Sequence, residues 1–353
     1  MNSIHPSRQR GLSILVFCVL ALSACQPAKS PPSPDHERAT ASLRTALGEA
    51  VLGSKAVFLP PGFLFLLPKG TSAKIPSADE SAKALTNPSS FHTLNREYRF
   101  DRVFLPPGPV CAPLRDHLLE SPVWVLSQVT PEGYLFRVAG STPWHAPDAA
   151  DAEHLIPDPD ARSLWMISSA ENLLAIGHNE EASGLLDLAS CSRRHEADRL
   201  AALASLEASC GHWNKAVDLA GQSLRSDRRN RTSTMILIRA LTETGHRDEA
   251  LDKAREFVHA SPDAESLFLL ARAANTAGDH AEEISALRRL VATAKKENQP
   301  AGASLLYLGQ ALARDGQRGE SLRILEEAQT APELTAEQKK LIRELRDHLA
   351  PSS

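Results

Sequence analysis

Several things on which chemistry is usually built are missing from this sequence. No Cys-x-x-Cys occurs among its 5 cysteines, so neither a redox pair nor a zinc knuckle is suggested. There is no Gly-x-Ser-x-Gly, no phosphate loop and no Gly-x-Gly-x-x-Gly, which removes the usual signs of a nucleophile elbow or a nucleotide site. His-Glu-x-x-His would set two imidazoles one helical turn apart for zinc. It starts twice and fails twice, with Thr40 and Arg199 at the last place. The net charge of −4 over 353 residues speaks against the basic face that general nucleic-acid binding needs. The apolar stretch at residues 11–24 is too short to span a bilayer, which takes about 20 apolar residues. What remains is 42% hydrophobic and 23% charged, a globular composition with length for about two domains.

That apolar stretch, "GLSILVFCVLALSA", follows Arg8 and Arg10 and stops at Cys25, before the Pro/Ser-rich "QPAKSPPSPD". A basic head, an apolar segment and small residues before a cut mark a secretory signal. Leu22-Ser23-Ala24-Cys25 resembles the lipobox of bacterial lipoproteins. The resemblance implies cleavage before Cys25, lipidation of its thiol, and permanent attachment, because two or more acyl chains hold stably where one does not. The inner-membrane retention signal familiar from enteric lipoproteins is Asp after the Cys. Gln26 stands here, so the implied address is the outer membrane, with the chain in the periplasm. An ordinary signal with a chance cysteine is the alternative. After export Cys111, Cys191 and Cys210 remain, enough for at most one disulfide.

The most informative pattern is a repeat. "GHNEEA", "GHWNKA", "GHRDEA", "GDHAEE" and "GQRGES" place glycines at Gly177, Gly211, Gly245, Gly278 and Gly316, in steps of 34, 34, 33 and 38 residues. Five residues after each come Ala182, Ala216, Ala250, Glu283 and Ser321; seven before come Ala170, Ala204, Ile238, Ala271 and Gly309. Apolar positions eleven, eight and seven residues before the glycines form one stripe on a first helix. Positions nine and twelve after them form another on a second. This resembles the tetratricopeptide repeat (TPR), over roughly residues 163–330. Departures are Ser169 on the core face of the first repeat, Glu283 where the fourth should be small, and a longer "KKENQP" loop. "TAEQKKLIRELRDHLA" predicts a capping helix with Leu341, Leu345 and Leu349 in one row.

Ahead of the repeats the pattern changes. Residues 36–52 suit a helix ended by Gly53. "AVFLPPGFLFLL", "EYRFDRVFL", "VWVLSQV" and "YLFRVAG" are strand-like, and "PLRDHLLE" suits a short helix. "TPEG" is a turn signal between the last two strands. "VFLPPG" occurs at 57–62 and again at 103–108. Pro-Pro cannot sit inside a central strand, so each copy marks a strand end, packed inward or, in a functional reading, forming paired apolar corners for a partner.

The predicted architecture is therefore mainly α: a TPR-type solenoid of about five helix pairs with a capping helix, preceded by a small α+β domain of no recognised family. The expected segments are a signal over 1–24, a tether over 25–35, the α+β domain over 36–140, a linker over 141–162, repeats over 163–330 and the cap and tail over 331–353. His145 and His154 with neighbouring acids suit a solvated linker better than a metal site. His178, His212, His246 and His280 recur at turns about a helix pair apart, too far to share one ion. No cofactor and no catalytic residue is expected.

The TPR resemblance implies a peptide-binding face built from first helices. It places Met235, Phe268 and Leu306 there, with Arg239, Arg272 and Gln310 one turn later. An apolar strip beside a basic one suits a peptide with an acidic element. The expected function is a membrane-anchored scaffold for protein partners in an envelope or secretion complex. The rival is an envelope hydrolase with its active site in residues 36–140.

Overall fold

The computed structural model describes residues 56–60, 76–138, 156, 158–189, 195–297 and 299–349. The lipobox, the tether and the helix expected over 36–52 lie outside the described residues. The chain is mostly helical, with one small sheet towards its N-terminal side. It divides into two compact units, the boundary falling within one helix near residue 220.

In the first unit, four strands form a sheet in the order β1 (Val57–Phe58), β2 (Arg102–Leu105), β4 (Gly133–Val138), β3 (Trp124–Thr130). β1 and β2 are parallel, with Phe58 opposite Val103, so the two "VFLPPG" copies lie side by side. Phe58, Leu59, Phe104 and Leu105 are all buried, so the strand part of each copy packs inward, while Pro107 and Gly108 at the second corner are half-buried. β3 and β4 form the hairpin expected around "TPEG", irregular between Leu126 and Gln128.

Three helices accompany the sheet: α1 (Ala78–Thr86), α2 (Pro88–Tyr98) and α3 (Ala112–Glu120). The sequence reading assigned nothing to the first of these; the second corrects it at its end, taking Glu97 and Tyr98 from a run read as strand. Ser77 and Glu80 form a capping box at α1. The Asn87 side chain accepts from the Ser89 N–H at the start of α2, where Pro88 sits in the first turn. In that turn Pro does not lose a helical hydrogen bond. Two such starts outweigh the β-propensity of the aromatic residues, and the strand begins only at Arg102. Phe58, Phe91, Phe100 and Trp124 pack ring against ring beneath the sheet.

The same core runs on into the helical pairs. α4 (Pro159–Leu174) starts before the expected residue 163, because Asp158 accepts the Ala161 N–H at its N-cap. The end of the acidic stretch expected as linker is thus a helix start, and Ile156 ahead of it is buried. Trp165, Met166, Ile167 and Leu173 of α4 belong to one apolar cluster with Phe91, Phe136 and Tyr134. The Tyr134 hydroxyl donates to the Asn172 carbonyl at 2.9 Å, and the Asn172 amide donates to the Thr130 carbonyl at 2.7 Å. The first repeat is therefore packed on the sheet rather than tethered beyond it. α5 (Asn179–Leu188) and α6 (Glu196–Ser209) continue this unit.

α7 (Trp213–Ser226) contributes Trp213–Ala220 to the second unit and its remainder to the first. The second unit continues with α8 (Arg231–Glu243), α9 (Arg247–Ala260), α10 (Ala264–Ala277), α11 (His280–Lys296), α12 (Gly302–Arg314), α13 (Arg318–Gln329) and α14 (Ala336–Leu349). With α4–α7 these make five helix pairs and a terminal helix, a TPR-type solenoid. At every intra-pair turn the predicted glycine has φ between 79° and 83°. An L side chain rarely adopts that conformation, and nothing else crowds these glycines, so backbone conformation alone accounts for them. The positions seven before and five after each glycine are buried in all five pairs. In α14, Ile342 is buried most deeply, with Leu349 also buried and Leu341 and Leu345 partly so.

The two irregular core positions resolve differently. Ser169 is fully buried, and its hydroxyl has no hydrogen-bond partner among the described residues. Glu283, 4% exposed, accepts from the Arg314 guanidinium on α12, with His280 at 3.6 Å. Burial raises its carboxyl above the ordinary range and Arg314 opposes that rise.

Candidate functional site

The predicted groove residues lie on three first helices, α8, α10 and α12, all in the second unit. Successive first helices share register because the repeat is nearly constant, so equal offsets become neighbouring side chains. Met235 and Gln310 are half-buried at this face, and Met235 packs against the apolar core. Arg239 and Arg272 are likewise half-buried.

Leu306 departs from expectation. It is 1% exposed and belongs to the core; each Å² of apolar surface removed from water is worth about 25 cal/mol, which draws the leucine inward. Tyr307, one residue later and half-buried, stands against Phe268, ring centroids 5.8 Å apart. Phe268 is itself at the core margin, 9% exposed. The aromatic wall of the face is thus Phe268 with Tyr307.

The two arginines differ in what holds them. Arg272 donates to the Glu243 carboxylate across the gap between α10 and α8. Glu243 sits one turn beyond Arg239 on α8, yet neutralises the arginine of the next repeat. Arg239 instead lies over the indole of Trp213, 5.2 Å from the ring centroid, within cation–π range. Its Nε is buried without a hydrogen-bond partner, and no carboxylate pairs with it among the described residues. Burial, and then the charge of Arg272, hold the Arg239 pKa below its ordinary value, with Glu243 opposing. The Tyr307 hydroxyl is pushed up by burial, and Arg272 moderates this. Both effects place Tyr307, Arg272, Arg239 and Glu243 in one electrostatic neighbourhood.

Arg231, Arg255 and Arg288 of this unit are each paired with carboxylates. Arg231 donates to Asp263 and Glu265 across repeats, both at 3.0 Å, and stacks on Phe257. Trp213 and Tyr307 were not among the sequence-predicted site residues. Trp213 opens a second helix, outside the first-helix rule, although a Trp two residues after a turn glycine was visible. Tyr307 was one position from the residue chosen.

The histidines at the turns have separate local partners. His178 meets Glu181 at 3.2 Å, His212 meets Glu207 at 2.8 Å and His246 meets Thr244 at 2.9 Å. Among the described residues no group of three or more His, Cys, Asp or Glu is placed to hold a metal, and no helix is long and apolar enough to cross a membrane.

No protein-family model matches the chain, and no curated protein sequence matches it significantly. Solved structures resemble it in part. MamA from residue 41 onward, of Desulfovibrio magneticus RS-1, aligns at 18% identity and a TM-score of 0.40, over 54% of this chain and 97% of that one. TTC0263, described as a thermophilic TPR protein of Thermus thermophilus, aligns at 16% and 0.42, over 51% of this chain and 96% of that one. YrrB, described as a TPR protein with an unusual peptide-binding site, aligns at 16% and 0.43, over 57% of this chain and all of that one.

Proposed function

We propose that this chain is a lipid-anchored envelope protein that binds peptide segments of protein partners through the first helices of its second unit, as a scaffold in assembling an envelope or secretion complex. The observation that carries the reading is the Trp213–Arg239–Arg272–Tyr307–Phe268 cluster on neighbouring helices. It joins aromatic surface, which anchors peptides efficiently, to cationic groups that select charge. The lipobox at Cys25 and the basic, then apolar, segment before it support attachment to the outer membrane. Nothing in the sequence offers nucleophile, base and orienter together, which favours a binding role over the hydrolase alternative.

Two measurements test this. Cys25→Ser is expected to abolish incorporation of a palmitate analogue and release the protein from the membrane fraction; label retained on the variant contradicts the anchor. A photocrosslinking amino acid at Met235 or Gln310 is expected to give discrete protein adducts in cells, and the same group at the exposed Glu256 of α9 none. Adducts confined to Glu256, or absent at all three, contradict the groove.

A further inference from the structure

We propose that Arg239, stacked on Trp213, is the receptor for one side-chain carboxylate of a bound acidic–aromatic peptide, and that Glu243 is a built-in competitor that the peptide displaces from Arg272. The inference rests on the preceding reading and deepens it: it names the ligand chemistry, the residue that recognises it and an internal control on affinity.

A guanidinium has five N–H donors in a rigid fork. Arg239 has its Nε buried with nothing to donate to and no carboxylate on it among the described residues. Its guanidinium carbon lies over Trp213, and with Nε buried the terminal Nη groups are the donors able to take a ligand. Leaving buried donors unmade destabilises a protein, as does a second cation beside the first. The repulsion between the cations eases when an anion arrives, and a half-buried arginine with no carboxylate on it, beside another arginine, therefore favours anion binding. Pairing of this kind is charge-assisted and directional.

The anion class follows from what the neighbourhood already accepts. Arg272 takes the carboxylate of Glu243, so a glutamate side chain is the chemistry these forks fit. Glu243 reaches Arg272 from α8, on the same helix as Arg239 and one turn away. A carboxylate arriving between the two arginines meets repulsion from Glu243 until that side chain swings out to solvent. The two arginines are thus held half-neutralised by Glu243, and ligand affinity is lower than the arginines alone would allow. Phe268 and Tyr307 beside Arg272 supply the apolar surface for a neighbouring aromatic or aliphatic side chain of the same peptide. Carboxylate is the anion that Arg272 already holds, and the ligand is assigned to that class.

The test uses the full mature chain carrying Cys25→Ser and a display library of random dodecapeptides with blocked ends. Wild type is expected to enrich peptides with Asp or Glu one to four residues from an aromatic, and Arg239→Gln to lose the acidic enrichment. For a synthetic selected peptide, Arg239→Gln and Arg239→Lys are expected to weaken binding tenfold or more. Lys keeps the charge without the fork, and circular dichroism melts confirm that each variant is folded. Glu243→Gln is expected to tighten binding severalfold, an outcome that a purely structural Glu243 would not give. Changing the peptide's Glu to Gln should abolish the gain from Arg239; an uncharged peptide with a freed C-terminal carboxylate, or with phosphoserine in place of Glu, should not restore it. If wild type enriches peptides with no acidic preference, or Glu243→Gln weakens binding, this inference fails while the groove reading stands. If no peptide is enriched at all, both fail.

Discussion

Arg239 is held where a positive charge is costly. Even a buried ion pair is often less stable than apolar side chains of similar volume, by up to about 1–4 kcal/mol, and a cation without an anion lacks the pair's compensation. Arg239 recovers part of that over Trp213 and is not fully buried, so the expected gain from Arg239→Met is at the low end, about 1 kcal/mol. The thermal midpoint of the folded chain should rise; a fall would mean that the stack outweighs the desolvation. Glu171 of α4 makes a second residue-scale case. It stands at the same offset before Gly177 as Arg239 before Gly245. Its side chain meets solvent but is closely surrounded by protein, and that environment, then the charge of Asp198, raises its carboxyl from 4.5 to about 7. A raised pKa means that the folded state holds the proton more tightly than the unfolded one. The stability it contributes is fully present below pH 4.5 and is lost as pH climbs through about 7. Glu171→Gln is therefore expected to match wild type in urea midpoint at pH 4.5 and to exceed it at pH 8, modestly because of the solvent contact. Equal midpoints at pH 8 would place the group in an ordinary environment.

Among the elements, the α12–α13 pair shows how closely the two helices of one repeat approach. A Cβ built on Gly309 would lie 2.6 Å from Leu325 Cδ2 and 2.7 Å from Cγ. The Cγ contact cannot be relieved by swinging the end of a flexible chain. Gly309→Ala is expected to destabilise by about 1–2 kcal/mol, overpacking outweighing the better helix propensity of alanine. Gly184 in α5 is the control, since a Cβ there would meet nothing within 4 Å; at that position Ala should stabilise by about 0.5–1 kcal/mol. Chemical denaturation of both variants decides it, and a neutral Gly309→Ala would mean that the pair separates easily. The same scale accounts for Glu283, whose charge is tolerated in a core position because Arg314 arrives from the following first helix.

At the scale of the whole molecule, the sheet and the first helix pair form one packed unit, joined by the Asn172 and Tyr134 hydrogen bonds and a continuous core. Asn172→Ala leaves the Thr130 carbonyl and its neighbours without a buried donor, an expected loss of about 1–3 kcal/mol. Limited proteolysis should then cut first near α4 or the β3–β4 hairpin. Cleavage confined to the second unit would show that the bonds do not govern the stability of the first. A fragment cut at residue 163 also strips α4 of its Asp158 cap and the sheet of its helical cover.

The repeats were legible because a glycine at positive φ, a small buried residue and an apolar stripe are local requirements repeated at one period. Each is imposed by helix geometry and close packing, whatever lies elsewhere in the chain. The β3–β4 hairpin was legible for the same reason, from Pro131 and Gly133 in its turn. The helices over 78–98 were not, because aromatic residues such as Phe91 and Tyr98 suit either state and only the caps and the packing decide. At the candidate site the period showed that two arginines occupy equivalent places in successive repeats. Tertiary structure decided the rest. Leu306 turned into the core while Tyr307 took the surface, since burial depends on neighbouring helices. Glu243 crossed to Arg272, Trp213 came under Arg239, and one arginine was left without an anion, because pairing depends on distances between helices that no local pattern sets.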